Sequence, residues 1–434
     1  MKIICDFHLH SKYSRATSRD MDLDNLAKWA KIKGIKVLGT GDFTHPLWLK
    51  EIKEKLEPLG SGLYKIKNQS AGWRTKVKNS EYGISENRIN FILTSEISCI
   101  YSKNGKTRKI HILVFAPDLQ TVEKINTHLG WIGNLKADGR PILGLDAKEL
   151  TKIVLNINPD CLIIPAHAWT PWFSVFGSKS GFDSIEECFE EYSKHIHSIE
   201  TGLSSDSPMN WRVSALDKIT LISNSDAHSP SRIGRESNVF EIAPSQISYQ
   251  EIVSIIKEKD LNKFLYTIEF FPEEGKYHYD GHRLCKISLS PEESKKHKNI
   301  CPKCGKPLTI GVMARVEELA DRPVGTKPEN PVPFKNLIPL EEIIADTLSQ
   351  GVGTKAVREH YRSLINKLGS EFNILLDASR FSIEEASTPE IAEGVIRVRE
   401  GRVKVEPGYD GEYGKIKIFE KGEQKTLSKQ TSLF

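Results

Sequence analysis

Short apolar runs recur along the first two thirds of the chain. Each ends in polar residues and is followed by an amphipathic stretch, the rhythm of strand-helix units around a parallel sheet. The runs predict strands over Lys2–Phe7, Lys36–Thr40, Asn90–Thr94, Lys109–Phe115, Cys161–Pro165, His195–Glu200 and Ile219–Ser223. Their polar clusters read C-D-F-H-L-H, G-D-F-T-H, S-E-I-S, I-H-I-L-V-F, P-A-H-A-W, I-E-T-G and N-S-D-A-H. In the first, Asp6, His8 and His10 alternate, and a period of two places them on one face. Catalytic groups at the carboxyl ends of parallel strands are the arrangement of a β/α barrel, so the expected class is α/β.

After residue 265 the rhythm stops. His282-Arg-Leu-Cys285 is followed, across 15 residues, by Cys301-Pro-Lys-Cys304-Gly. Two ligand pairs with this spacing predict a ribbon closed around one structural zinc by His282, Cys285, Cys301 and Cys304. His278 and His297 lie nearby, but only His282 forms a symmetrical knuckle with Cys285. A Pro-rich linker over 323–339 precedes predicted helices over 340–349 and 354–368, joined by Gly351-Val-Gly353-Thr354. That turn resembles a helix-hairpin-helix, whose amides grip a phosphate; an ordinary αα-hairpin fits the same pattern. The expected organisation is a barrel over 1–265, a zinc ribbon over 266–330, a small helical, DNA-contacting domain over 331–410 and a tail over 411–434, to which replication or repair proteins are expected to attach.

Composition narrows the class. A 434-residue chain that is 38% hydrophobic and 27% charged has the make-up of a globular enzyme, and no apolar run reaches the roughly 18 residues of a membrane span. Met1 leads directly into strand-like sequence without a signal peptide, so the expected location is cytoplasmic. Four of the seven cysteines are scattered in apolar contexts, which excludes a disulfide framework. A net charge of +4 makes any case for nucleic acid a local one. The segment 65–78 carries Lys65, Lys67, Arg74, Lys76 and Lys78 around Trp73 with no acidic residue; a basic, aromatic loop suits a phosphodiester backbone, and so does a solvated insertion. Trp169, Trp172 and Phe173, directly after His167, are candidates for stacking on a base or for packing at a barrel mouth.

His8, His10, Asp42, His45, Glu96, His111, His167, Asp226 and His228 gather at the strand ends. Nine nitrogen and oxygen ligands without cysteine suit two or three divalent ions such as zinc, manganese, iron or magnesium.

These motifs, in this order, resemble the PHP (polymerase and histidinol phosphatase) superfamily over residues 1–265, which implies a distorted β/α barrel and a di- or trinuclear phosphoesterase site. Many members carry another histidine or aspartate where this chain has Ser14-Arg15. The resemblance makes Glu96 the bridging carboxylate, with Asp226 beside it. Barrel, H-R-L-C…C-P-K-C-G-K-P-L ribbon and helical end together resemble the endonuclease Q family, whose members nick DNA 5′ to uracil, hypoxanthine and xanthine and at abasic sites. The resemblance implies 3′-hydroxyl and 5′-phosphate products, with Asp226, Glu96 and His228 as catalytic residues. Two rivals use the same barrel: a small-molecule phosphatase, and a non-catalytic PHP module that binds DNA. A side-chain amide pairs with the lactam edge shared by uracil and hypoxanthine, so Asn224, two residues before Asp226, is a candidate lesion reader with Ser204 and Ser205; orientation of Asp226 is its alternative role.

Overall fold

The structure, a computed structural model, describes residues 1–67, 88–420 and 423. It is a mixed α/β fold. Strands β1 (Lys2–Asp6), β2 (Val37–Gly39), β3 (Asn90–Lys103), β4 (Lys106–Ala116), β5 (Leu162–Pro165), β6 (Ser198–Glu200), β7 (Thr220–Ile222), β8 (Ser237–Glu241), β9 (Phe264–Glu269) and β10 (Phe334–Asn336) build the sheets around the site. Helices α1 (Leu23–Lys33), α2 (Pro46–Lys55), α3 (Leu119–Ile132), α4 (Ala147–Ile157) and α5 (Tyr249–Glu258) separate them. Local signals set the helix ends: Asp22 accepts the Asn25 amide to start α1, and Gly34, at φ 92°, ends it in a left-handed turn.

β1 pairs in parallel with β2, and β2 with β3, as the alternating pattern predicts. The rest of an all-parallel sheet does not form. β3 and β4 make a long antiparallel hairpin, β4 runs antiparallel to β5, and β8 antiparallel to β1. The hairpin turns at Asn104-Gly105, both at positive φ, the two-residue turn whose twist matches its strands. β6 and β7 pair in parallel, and Ala168 N–H donates to Glu200 O, joining the end of β5 to β6. Side chains close the remaining gap. Asn224 Oδ1 accepts the Phe7 amide at 2.9 Å, and Asn238 bonds both the amide and the carbonyl of Ser223. Neighbour relations therefore run in a cycle from β1 through β7 and back to β1.

Ile3, Cys5, Phe7, Phe115, Phe240 and Phe264 pack in one buried cluster, with Phe7 edge-on to Phe115 at 5.3 Å and Phe240 edge-on to Phe264 at 4.7 Å. A larger cluster lies between the strands and the helices.

The zinc-type sequence is inserted between two strands of one sheet. β9 ends at Glu269, and β10 returns to pair with it in parallel, so the expected boundaries at 265 and 330 both cut across this pairing. Four further helices follow: α6 (Leu340–Thr347), α7 (Lys355–Leu368), α8 (Arg380–Ala386) and α9 (Pro389–Arg399). They are tied to α1 by buried Glu371, which accepts from Lys33 Nζ at 2.7 Å, Tyr361 OH at 2.6 Å and the Leu340 amide at 3.1 Å. The expected tail at 411 begins later. Lys415–Lys417 pairs with Lys404–Glu406, and Ile418 and Phe419 are buried; most of the sequence beyond 420 lies outside the described residues. Among the described residues no helix is long and apolar enough to cross a membrane.

Candidate metal centre

β1 ends at Asp6, and its strand alternation ends there too. Asp6 accepts amides from Ser225 and Gly234, bracing the loop that carries Asp226, while His8 and His10 turn inward beyond the strand. Each imidazole is held from behind. His8 Nδ1 lies 3.0 Å from both oxygens of Glu200, and His10 Nδ1 lies 3.1 Å from Asp42 Oδ1. A carboxylate only accepts, so both Nδ1 atoms carry a proton, and both Nε2 atoms are aimed into the site.

Those Nε2 atoms face carboxylates. His10 Nε2 is 3.1 Å from Asp226 Oδ1 and 3.2 Å from Glu96 Oε2, and His8 Nε2 is 3.7 and 3.6 Å from the same two oxygens. The other oxygen of Glu96 meets His111 Nδ1 at 2.7 Å and His167 Nε2 at 3.0 Å. Glu96 thus faces two ligand sets, His8–His10–Asp226 and His111–His167. It can do so because Glu96 and His111 lie on adjacent strands of the β3–β4 hairpin, where Ser98 opposes His111 and Glu96 stands two residues along the same face.

A divalent cation fits this arrangement. His8 Nε2, His10 Nε2 and Asp226 Oδ1 are buried and have no hydrogen-bond partner, a cost that a bound cation removes. Burial alone would raise the Glu96 and Asp226 carboxyls, but His111, Arg140 and His8 around the first, and His8 and His10 around the second, hold both well below the usual carboxylate range. Burial pushes the His111 imidazole down to about 4, against the opposing pull of Glu96. Asp42, His167 and Asp226 all sit at positive φ (47°, 30° and 45°), strained backbone that clusters at functional sites. Gly202 is needed beside one of them, since a Cβ there would come within 2.6 Å of His167 Cβ.

In the ribbon, His282, Cys285, Cys301 and Cys304 place their ligand atoms within 4.8 Å of one another. The Cys301 and Gly305 amides close the second knuckle on Lys306 O and Cys301 O. Four soft and borderline donors around one point fit tetrahedral zinc. His278 is buried apart from them, stacked on Tyr279.

The family described as the MJ0043 C-terminal domain matches residues 339–402, the span of α6 to α9. Uncharacterized protein MJ0043 of Methanocaldococcus jannaschii is 38% identical over 257 residues, 58% of this chain and 31% of that protein; the chain therefore spans less than a third of that relative's length. Uncharacterized protein YqxK of Bacillus subtilis is 28% identical over 96% of this chain and 99% of its own. The crystal structure of the lesion-specific endonuclease PfuEndoQ from Pyrococcus furiosus matches with a TM-score of 0.82 and 32% identity over 97% of this chain and 96% of that one. A complex of endonuclease Q with a 27-mer duplex substrate, an abasic lesion at its active site, matches at 0.81 and 32% over 97% of each chain. The chain belongs to the endonuclease Q family.

Within this endonuclease Q fold several sequence expectations change. Asp42 lies outside both ligand sets: it accepts from Ser11 N, Ser11 Oγ and Ser14 Oγ as well as His10, so its oxygens are spent on bracing. His45 stacks on Tyr13 at 4.5 Å and also joins neither set. His228 stands at the rim, its ring 4.5 Å from that of His10, with Nδ1–H donating to Asp226 O. Asn224 cannot read a base: it is fully buried, its oxygen accepts from Phe7 N and Asn238, and its amide donates to Glu200. Ser205 is buried between Thr201 O and Asn210, whereas Ser204 is half-buried. Trp169 is buried, bonded to Asn210, and cannot stack on DNA. Trp172 is exposed, and Phe173 lies against His111 at 4.7 Å. Gly351 and Gly353 are exposed at the turn before α7.

Lys65 pairs with Glu57, and Lys67 donates to the carbonyls of Lys53 and Glu54, so neither ammonium is free. Tyr64 pairs with Phe91 at the amino end of β3, away from the ligand sets. Trp73, Arg74, Lys76 and Lys78 lie outside the described residues. Two site residues carried no ligand expectation. Glu200 bonds His8, the His167 amide and Asn224, and the run I-E-T-G pointed to it. Arg140 donates to Glu96 Oε2 at 2.9 Å from a loop with no sequence signal.

Proposed function

We propose that the chain is a metal-dependent DNA endonuclease that hydrolyses the phosphodiester on the 5′ side of deaminated bases (uracil, hypoxanthine, xanthine) and of abasic sites, leaving a 3′-hydroxyl and a 5′-phosphate. The observation that carries the reading is Glu96, one carboxylate turned to two imidazole sets in a chain that matches a lesion-specific endonuclease along 97% of its length. A PHP-type barrel is the architecture this implies. Residues His8, His10, Asp226 and Glu96 would hold one ion, and Glu96, His111 and His167 a second. Divalent ions there supply a nucleophile at neutral pH and neutralise charge on the phosphate.

The chain's own groups do the positioning. Asp226, its side chain 26% exposed, is the open member of the set and orients the attacking water. His228 spends Nδ1–H on a carbonyl, so its Nε2 accepts a proton rather than giving one. Ser204 and Trp172 remain as contacts for the lesion, and the amides of the Gly351–Gly353 turn for a backbone phosphate. Replication or repair proteins attach through the tail.

A duplex with one uracil, labelled at its 5′ end, tests the reading. Nicking that requires a divalent metal and falls about 10²- to 10³-fold in Asp226→Asn, with duplex binding retained, is the expected result. A metal-independent nick, or equal turnover by the variant, overturns it.

A further inference from the structure

Asp138 organises two arginines at the mouth of the first ligand set. Its Oδ1 accepts the amides of Arg15 at 3.3 Å and of Arg140 at 3.1 Å, and its Oδ2 lies 3.5 Å from Arg15 Nε. The intervening residue locks the arrangement: Gly139 N–H donates to Tyr13 O, Thr44 Oγ1 donates to Gly139 O, and a Cβ at Gly139 would collide with Asp42 Oδ2 and Ser14 Oγ. The backbones carrying both arginines are thereby fixed to the segment that follows His10.

The side chains differ in depth. Arg140 is 24% exposed and spends Nη1 on Glu96 Oε2, the oxygen that also faces His10. Arg15 is 80% exposed, with its Nε 3.5 Å from Asp138 Oδ2. A guanidinium fork matches phosphate oxygens two at a time.

We propose that Arg140 and Arg15 form a clamp on the substrate backbone, Arg140 on the scissile phosphate and Arg15 on its neighbour, with Asp138 as the positioning residue. The clamp rests on the nuclease reading above. The competing role for Arg140 is charge balance for Glu96, which any cation would fill.

Equilibrium binding of the full chain to an abasic duplex, in chelator so that no strand is cut, is measured across a range of potassium chloride. Each phosphate contact contributes about 0.9 to the slope of log affinity against log salt. Arg15→Ala and Arg140→Gln should therefore each lower the slope by about one. In metal-supplemented nicking, Arg140→Lys should lower kcat about 10²-fold, since a point charge lacks the fork. Unchanged slopes in both variants, or full kcat in Arg140→Lys, overturn the clamp while wild-type nicking leaves the nuclease reading standing. A wild-type chain that neither binds nor nicks the duplex overturns both.

Discussion

Glu200 grips the back of the His8 ring: both carboxylate oxygens lie 3.0 Å from Nδ1, while Nε2 on the far side faces Asp226 and Glu96. One carboxylate therefore fixes both the protonation of Nδ1 and the direction in which Nε2 points. Glu200→Gln lets the amide present either a donor or an acceptor to Nδ1. Metal affinity is expected to fall about 10- to 100-fold, the usual cost of losing such a partner. Titration of the metal-free protein with manganese or zinc measures it; an unaltered isotherm would show that the ring is fixed by packing alone.

Asn224 stitches β1, β8 and Glu200 together from a fully buried position. Asn224→Ala leaves the Phe7 amide, the Asn238 amide and one Glu200 oxygen short of a partner, which should cost about 3 kcal/mol of stability. Nicking at uracil and at an abasic site should fall alike. Denaturant unfolding beside matched rates on the two duplexes checks both parts, and a loss confined to uracil would restore Asn224 as a base reader.

The ribbon ligands close on one another with no open position. Changing Cys301 and Cys304 to Ser should lower bound zinc by about one per chain, with the folding energy of the inserted segment lost alongside it. Zinc content by elemental analysis decides this; undiminished zinc would refute a structural site.

Glu269 gives the protein a pH-dependent stability away from the metal ligands. Burial, reinforced by Asp206, pushes its carboxyl up to about 8 despite hydrogen bonds from Thr267 and Thr201. A carboxyl raised in the folded state binds a proton that the unfolded chain has released, so its contribution is full below about 4.5 and is lost as pH rises through 8. Melting temperature should decline over that window, and Glu269→Gln should flatten the decline. Parallel curves for the two proteins would assign the pH dependence elsewhere.

Much of the site was legible because histidines and carboxylates at the ends of apolar runs are costly unless bound. His8, His10, Glu96, His111, His167 and Asp226 come together in space, and the four ribbon ligands do as well. Pattern alone does not say which atoms a tertiary partner consumes. Asp42 and Asn224 occupy strand-end positions like the ligands, yet three or four hydrogen bonds each turn them into braces. Arg140 was invisible for the opposite reason: it lies in a loop, and only the fold carries it to Glu96. The β3–β4 hairpin had a local signal in Asn104-Gly105, but apolar runs bounded at Thr94 and Lys109 stopped short of it.

The buried bond between Lys33 and Glu371 couples the first helix to the helical region near the carboxyl end. A shortened chain ending before the helices would leave Lys33, at the end of α1, as an ammonium stripped of its counter-charge against newly bared apolar surface, and breaking such a pair from one side costs about 3 to 5 kcal/mol. The helical end and the strands thus share a buried charge pair, and any attempt to borrow the strand-built part for another protein must first replace Lys33 or carry Glu371 along.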